Sequence, residues 1–239
     1  MRCLNRRGGD PVVSAPQSVC VAVETAPTLD GMSFDAHPDV VRLSTARPSR
    51  IADRVALVTH PAVLVVAVLA LVALHSTTQP GSAALWAGLA VLFCVGIPYA
   101  VLLMMAAKGR VIDQHLVVRE QRRAPLLTAL VSVVVGLLVL VGLGAPRPVV
   151  ALVVAMLAGL ASMTAVSHWY KASFHLAVAG GVTVIVGLVL GWSAVVPLVA
   201  LLALIAWARL RAGRHSRGQV LVGLVVGAAA AAIVYPALN

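Results

Sequence analysis

Seven apolar stretches of near membrane-spanning length, separated by short polar joints, constrain this chain more than any other feature. They run Val55–Leu74, Ala83–Ala107, Pro125–Leu143, Val149–Val166, Leu176–Leu190, Ala194–Ala208 and Val220–Leu238. About 20 apolar residues in a helix cross a bilayer, so the pattern predicts an all-α, polytopic transmembrane helix bundle. The count is about six to seven spans, because the fifth and sixth stretches hold only about 15 residues each. These two either cross with little tilt or form a re-entrant hairpin, and Pro98 predicts a kink in the second span. With 11% charged residues against about 25% in a soluble domain, the composition leaves no room for a soluble fold.

Residues 1–54 read differently. They carry seven of the 18 basic and six of the eight acidic residues, with Pro, Ser and Gly throughout. No helical or strand period persists, which predicts a disordered N-terminal tail ahead of a membrane domain over 55–239. Met32 is a second candidate translation start, and no apolar h-region marks a cleaved signal peptide. The three cysteines have no metal spacing, and their odd number, with Cys94 inside a span, argues against a disulfide framework. Cys3 and Cys20 lie too far from the first span to favour palmitoylation. The net charge of +10 resides beside apolar spans, which points to membrane lipids and anionic headgroups and away from nucleic acid.

A hairpin returns the chain to the side it left, so the joints after the second, fourth and sixth spans share one face of the membrane. Ten of the eleven basic residues outside the tail sit in or beside those joints, and only Arg147 falls opposite. The positive-inside rule explains Arg110, Arg211 and Arg217 singly and predicts a cytoplasmic tail and cytoplasmic joints. It does not explain why His115, His168, His175 and His215 gather on the same face. His168, Trp169 and Tyr170 read as interfacial anchors.

Hydrolysis of a phosphate ester needs cations for the phosphate oxygens, an in-line nucleophile and an acid for the leaving oxygen. Arginine meets the first need with its planar fork, and two histidines of opposite protonation meet the others. Arg209-x5-His215 resembles the third motif, S-R-x5-H-x3-D, of the type-2 phosphatidic acid phosphatase superfamily. Lys171-Ala172-Ser173-Phe174-His175 is similar to its second motif, P-S-G-H, and Arg119–Pro125 to a degenerate first motif, K-x6-R-P. The order agrees, over roughly Lys108 to Leu238, and the small membrane-embedded bacterial members look nearest. The resemblance implies a membrane-embedded, metal-independent lipid phosphatase acting on a polyprenyl (di)phosphate or phosphatidate-type lipid. By it, His215 attacks phosphorus to form a phosphohistidine and His175 protonates the leaving group. Arg209, with Arg122 or Arg123, and Lys171 and Ser173 hold the phosphate, and no cofactor or metal is implied.

Four departures stand beside the resemblance. Gln219 occupies the place of the orienting aspartate, and the first-motif lysine is absent, with Lys171 or Arg119 as substitutes. Phe174 replaces a glycine and Ala208 a serine. Two alternatives therefore stay open: a lipid-phosphate-binding protein that has lost turnover, and a small transporter, for which His60 and Pro98 are the pointers. Gly223-x3-Gly227 predicts close helix packing in the last span, within the bundle or, less favoured, between two copies in a homo-oligomer.

Overall fold

The computed structural model describes residues 50–108 and 123–239. The described chain is all-helical, with no strand among the described residues. In chain order the elements are α1 (Arg50–Val58), α2 (Pro61–Ser76), α3 (Pro80–Val91), a π-helical turn (Leu92–Gly96) and α4 (Ile97–Ala107). Then come α5 (Arg123–Gly142), α6 (Arg147–Trp169), α7 (Phe174–Leu190), a 3-10 turn (Trp192–Ala194), α8 (Val195–Arg211) and α9 (Arg217–Leu238).

Six helical stretches are long and apolar enough to cross a membrane: Arg50–Ser76, Pro80–Ala107, Ala124–Gly142, Arg147–Trp169, Trp192–Arg211 and Arg217–Leu238. The fifth apolar stretch, α7, is a shorter helix of 17 residues. The sixth reaches 20 residues because the 3-10 turn before it and the basic turn after it continue the helix. Side chains such as Leu127, Val131, Leu138, Leu221 and Ile233 face outward, leaving an apolar exterior suited to lipid.

The first span begins earlier than the sequence boundary at residue 54 suggests. Ile51, Val55 and Val58 recur at helical spacing opposite Asp53 and Arg54, an amphipathic pattern short enough to be lost beside the polar tail. Residues 1–49, with Cys3, Cys20 and Met32, lie outside the described residues. The span is also broken. Thr59 Oγ1 donates to the Val55 carbonyl (2.7 Å), and His60 adopts φ −58°, ψ 140°, the extended backbone favoured before Pro61.

The second span is interrupted as Pro98 suggests, but the irregularity is the π-helical turn just before it. The Phe93 carbonyl of that turn accepts a hydrogen bond from Ser132 Oγ on α5 (2.7 Å). Gly136 lets α5 approach Phe93, against whose side chain a Cβ would collide. Neighbouring helices thus satisfy and cover the irregular backbone, as a low-dielectric interior demands.

The closest packing joins α9 to α7 and α6. A Cβ at Gly223 would clash with the Ser173 carbonyl, and one at Gly227 with the Ala177 carbonyl. Gly180 answers from α7, where a Cβ would lie 2.8 Å from the Leu224 carbonyl. The Gly223-x3-Gly227 pair is therefore used inside the bundle, where it brings the N-terminal ends of α7 and α9 together.

Candidate functional site

The loop between α8 and α9 converts the Arg209-x5-His215 spacing into a fixed geometry. Helix α8 ends in a Schellman motif: the Arg214 amide donates to the Arg209 carbonyl (3.2 Å) and the Gly213 amide to that of Leu210 (3.0 Å). Gly213 supplies the left-handed residue at φ +63°. Two residues later Ser216 opens α9 with a capping box, its Oγ accepting from the Gln219 amide at 3.4 Å. Arg209, Arg214 and His215 are therefore held across a rigid corner.

Gln219 closes that box and touches His215. Its Oε1 accepts the Ser216 backbone N–H (3.1 Å) and lies 3.2 Å from His215 Nδ1. The backbone donor identifies the carboxamide atom as oxygen, so Nδ1 carries the proton toward it. A neutral His215 then has its lone pair on Nε2. The carboxamide orients the ring without supplying negative charge.

The α6–α7 joint is tied to the same corner. The Ser173 amide donates to the Gln219 carbonyl (3.0 Å), and the glycine seam holds α7 against α9. His175, in the first turn of α7, is hydrogen-bonded to the backbone of Ala56 in α1. Ser173 itself is fully buried beneath α9, with no partner for Oγ among the described residues, and it lies off the cavity wall. The sequence expectation that Ser173 binds phosphate is corrected here. The glycine seam that brings the motifs together also seals this side chain under the helix.

A cavity of about 460 Å³ opens at this end of the bundle. His60, Lys171, His175, Arg209, Arg214 and His215 line its polar end. Its other end runs between apolar side chains, among them Val133, Leu152, Met156, Leu160 and Ile185. No carboxylate is among the described residues that line it. Arg209 is partly buried, and its Nε has no hydrogen-bond partner among the described residues. Asp53 on α1, an exposed residue, lies within electrostatic reach of Arg209, as does the like charge of Arg214. A donor-rich, cation-rich mouth over an apolar throat matches a ligand with an anionic head and an apolar tail.

No known family, curated protein or solved structure matches this chain. The site must therefore be argued from its own residues.

Of the residues singled out from sequence, Arg209, Lys171, His175 and His215 share the cavity wall, and Gln219 stands behind His215. Arg122 lies outside the described residues; Arg123 opens α5, but its side chain lies outside them too. Arg214, His60 and Tyr99 were not counted as site residues and also line the cavity. Arg214 had its signal in its loop, one place before His215. His60 had a signal in the break at Pro61, and Tyr99 had none. Among the described residues no group of three or more His, Cys, Asp or Glu is placed to hold a metal ion. His168 stacks edge-on against Trp169, which is 77% exposed, consistent with an anchoring pair at the bundle's edge.

Proposed function

We propose that this protein is a membrane-embedded, metal-independent lipid phosphatase of the type-2 phosphatidic acid phosphatase kind, acting on a polyprenyl (di)phosphate or phosphatidate-type lipid. The observation that carries the reading is the single cavity with Arg209, Arg214, Lys171, His175 and His215 at one end and an apolar throat at the other. The phosphate would sit among the cations while the lipid tail remains between the helices.

In the reaction, the His215 Nε2 lone pair forms a bond to phosphorus as the bond from phosphorus to the leaving oxygen breaks. Gln219 holds the Nδ1 proton and so keeps Nε2 as the attacking atom. The leaving alkoxide or phosphate takes a proton from His175. One His175 proton is engaged by the Ala56 carbonyl, so the acid form requires a second, which the dianionic substrate favours. Water then attacks phosphorus, the P–N bond breaks, the water proton passes to His175, and inorganic phosphate leaves. Arg209 and Arg214 offset the charge on the equatorial oxygens at both steps.

The gathering of basic residues at one end, with Arg147 at the other, supports a cytoplasmic face for the site and its tail in the cell membrane. A reporter fused after Asn239 tests this: seven crossings put it outside, and activity of a reporter that works only in the cytoplasm would reverse the orientation.

The deciding experiment is phosphate release from a prenyl diphosphate by the purified full chain in detergent with EDTA. The His215→Ala variant is expected to release none. Release that persists in this variant would overturn the mechanism. Tight binding by the wild type without release would instead favour a protein that binds lipid phosphates without turnover, a reading to which the uncharged Gln219 lends specific support.

A further inference from the structure

We propose that His60 is a third histidine of the anion site, donating a hydrogen bond from Nε2 to the head of the lipid on the wall facing His175; this rests on the reading of the cavity as a lipid-phosphate site. The break in the first span is what brings the residue there. Helix α1 stops at Val58, α2 starts at Pro61, and His60 between them is the N-cap of α2. Its Nδ1 accepts the Ala62 backbone N–H at 3.2 Å. An acceptor at Nδ1 places the proton of the neutral ring on Nε2.

The ring forms part of the cavity wall, in the same space as Arg209, Lys171 and His215. It stands edge-on to His175, with centroids 5.8 Å apart and planes at 82°. On its other side it meets the Tyr99 ring, again edge-on, at 6.3 Å. Packing on both sides limits the ring's freedom, and the backbone hydrogen bond fixes its tautomer.

The two terminal histidine assignments are complementary. The Gln219 carboxamide makes His215 present a lone pair at Nε2, whereas the Ala62 amide makes His60 present an N–H. A phosphate between them meets a nucleophile from one wall and a neutral donor from the other. His175 cannot supply that donor while neutral, because its proton is engaged with Ala56. His60 is thus an anion-binding residue that requires no change of protonation.

The cap gives the test its control, because serine and asparagine are also good N-caps. His60→Ser and His60→Asn keep the acceptor for Ala62 while withdrawing the reach of Nε2. Binding of a short prenyl diphosphate and of the matching prenyl alcohol is measured by calorimetry on the full chain in detergent micelles, beside phosphate release and thermal unfolding. Both variants are expected to unfold near the wild-type temperature and bind the alcohol equally, yet bind the diphosphate about ten-fold or more weakly. Equal diphosphate affinity in variants and wild type overturns the role of His60 and leaves the phosphatase reading standing. Wild type that binds without releasing phosphate removes the phosphatase reading, and His60 is then judged on affinity alone. Wild type that binds the diphosphate no better than the alcohol overturns both. Should both variants fail to fold, His60→Gln, longer and with its own amide donor, must restore diphosphate affinity relative to His60→Ala, or the proposal fails.

Discussion

At the scale of single residues, Gln219 has two partners that impose different demands. The capping box needs a side-chain acceptor at this position, while the imidazolium formed during turnover favours a negative one. Gln219→Glu keeps the length and the acceptor and adds the charge. It is expected to raise the rate of phosphate release by about ten-fold, the equivalent of one pKa unit on His215. A rate unchanged in steady-state assays would mean that charge behind His215 does not limit the reaction. Ser173 makes the opposite case. Its fully buried Oγ has no partner among the described residues, so Ser173→Ala is expected to leave stability unchanged or raise it by about 1 kcal/mol in a melting assay. Arg209, Lys171, His175 and His215 were legible in the sequence because ionisable groups are scarce there and their spacing stands out. His60 was visible only as an oddity beside Pro61, since nothing in a linear reading says which distant span an isolated histidine faces. Ser173 misled for a related reason. A hydroxyl next to a functional histidine along the chain is adjacent in sequence, but the helix N-terminus turns the two side chains apart.

At the scale of elements, the site depends on two backbone devices. The first is the Schellman turn at Gly213, whose φ of +63° any other residue adopts only with strain. Gly213→Ala is expected to cost about 1 kcal/mol of stability. It should also slow phosphate release by more than that loss explains, because Arg209 and His215 lie on either side of the turn. Equal rates at matched folded fractions would show the corner to be tolerant. The second is the seam of Gly180, Gly223 and Gly227, where a Cβ would run into opposing backbone. Gly227→Leu forces α7 and α9 apart and is expected to destabilise the bundle by about 3 kcal/mol, the upper range for overpacking, read as a lower unfolding temperature in detergent. The seven apolar stretches, their parity and the glycine pair could be read directly, since lipid imposes length and composition on every crossing. The start of the first span could not. Nine residues of α1 repeat their apolar pattern too few times to stand out from a polar neighbourhood.

At the scale of the whole molecule, the cavity is built from nearly every long helix. Met156 and Leu160 come from α6, Val133 from α5, Ile185 from α7 and Val68 from α2, and all line its apolar part. A site shared this widely ties the volume open to a lipid tail to the packing of the bundle. Met156→Trp is expected to raise the KM of a long prenyl diphosphate by more than that of a short one. Steady-state kinetics across a series of chain lengths measures this, and an equal rise for every length would place the tail elsewhere.

The π-helical turn at Leu92–Gly96 carries a consequence for length changes in this region. Such a turn holds one residue more than the α-helix it interrupts, and each residue of α-helix advances the chain by about 100° and 1.5 Å. Deleting one residue there would let the helix become regular, so the loss would look harmless by any measure of helix content. Yet everything after the deletion would turn by about 100°, carrying Tyr99 and Pro98 off the cavity wall. Single-residue insertions and deletions in this span are therefore far less interchangeable than substitutions, because they reset which face of α4 the lipid meets.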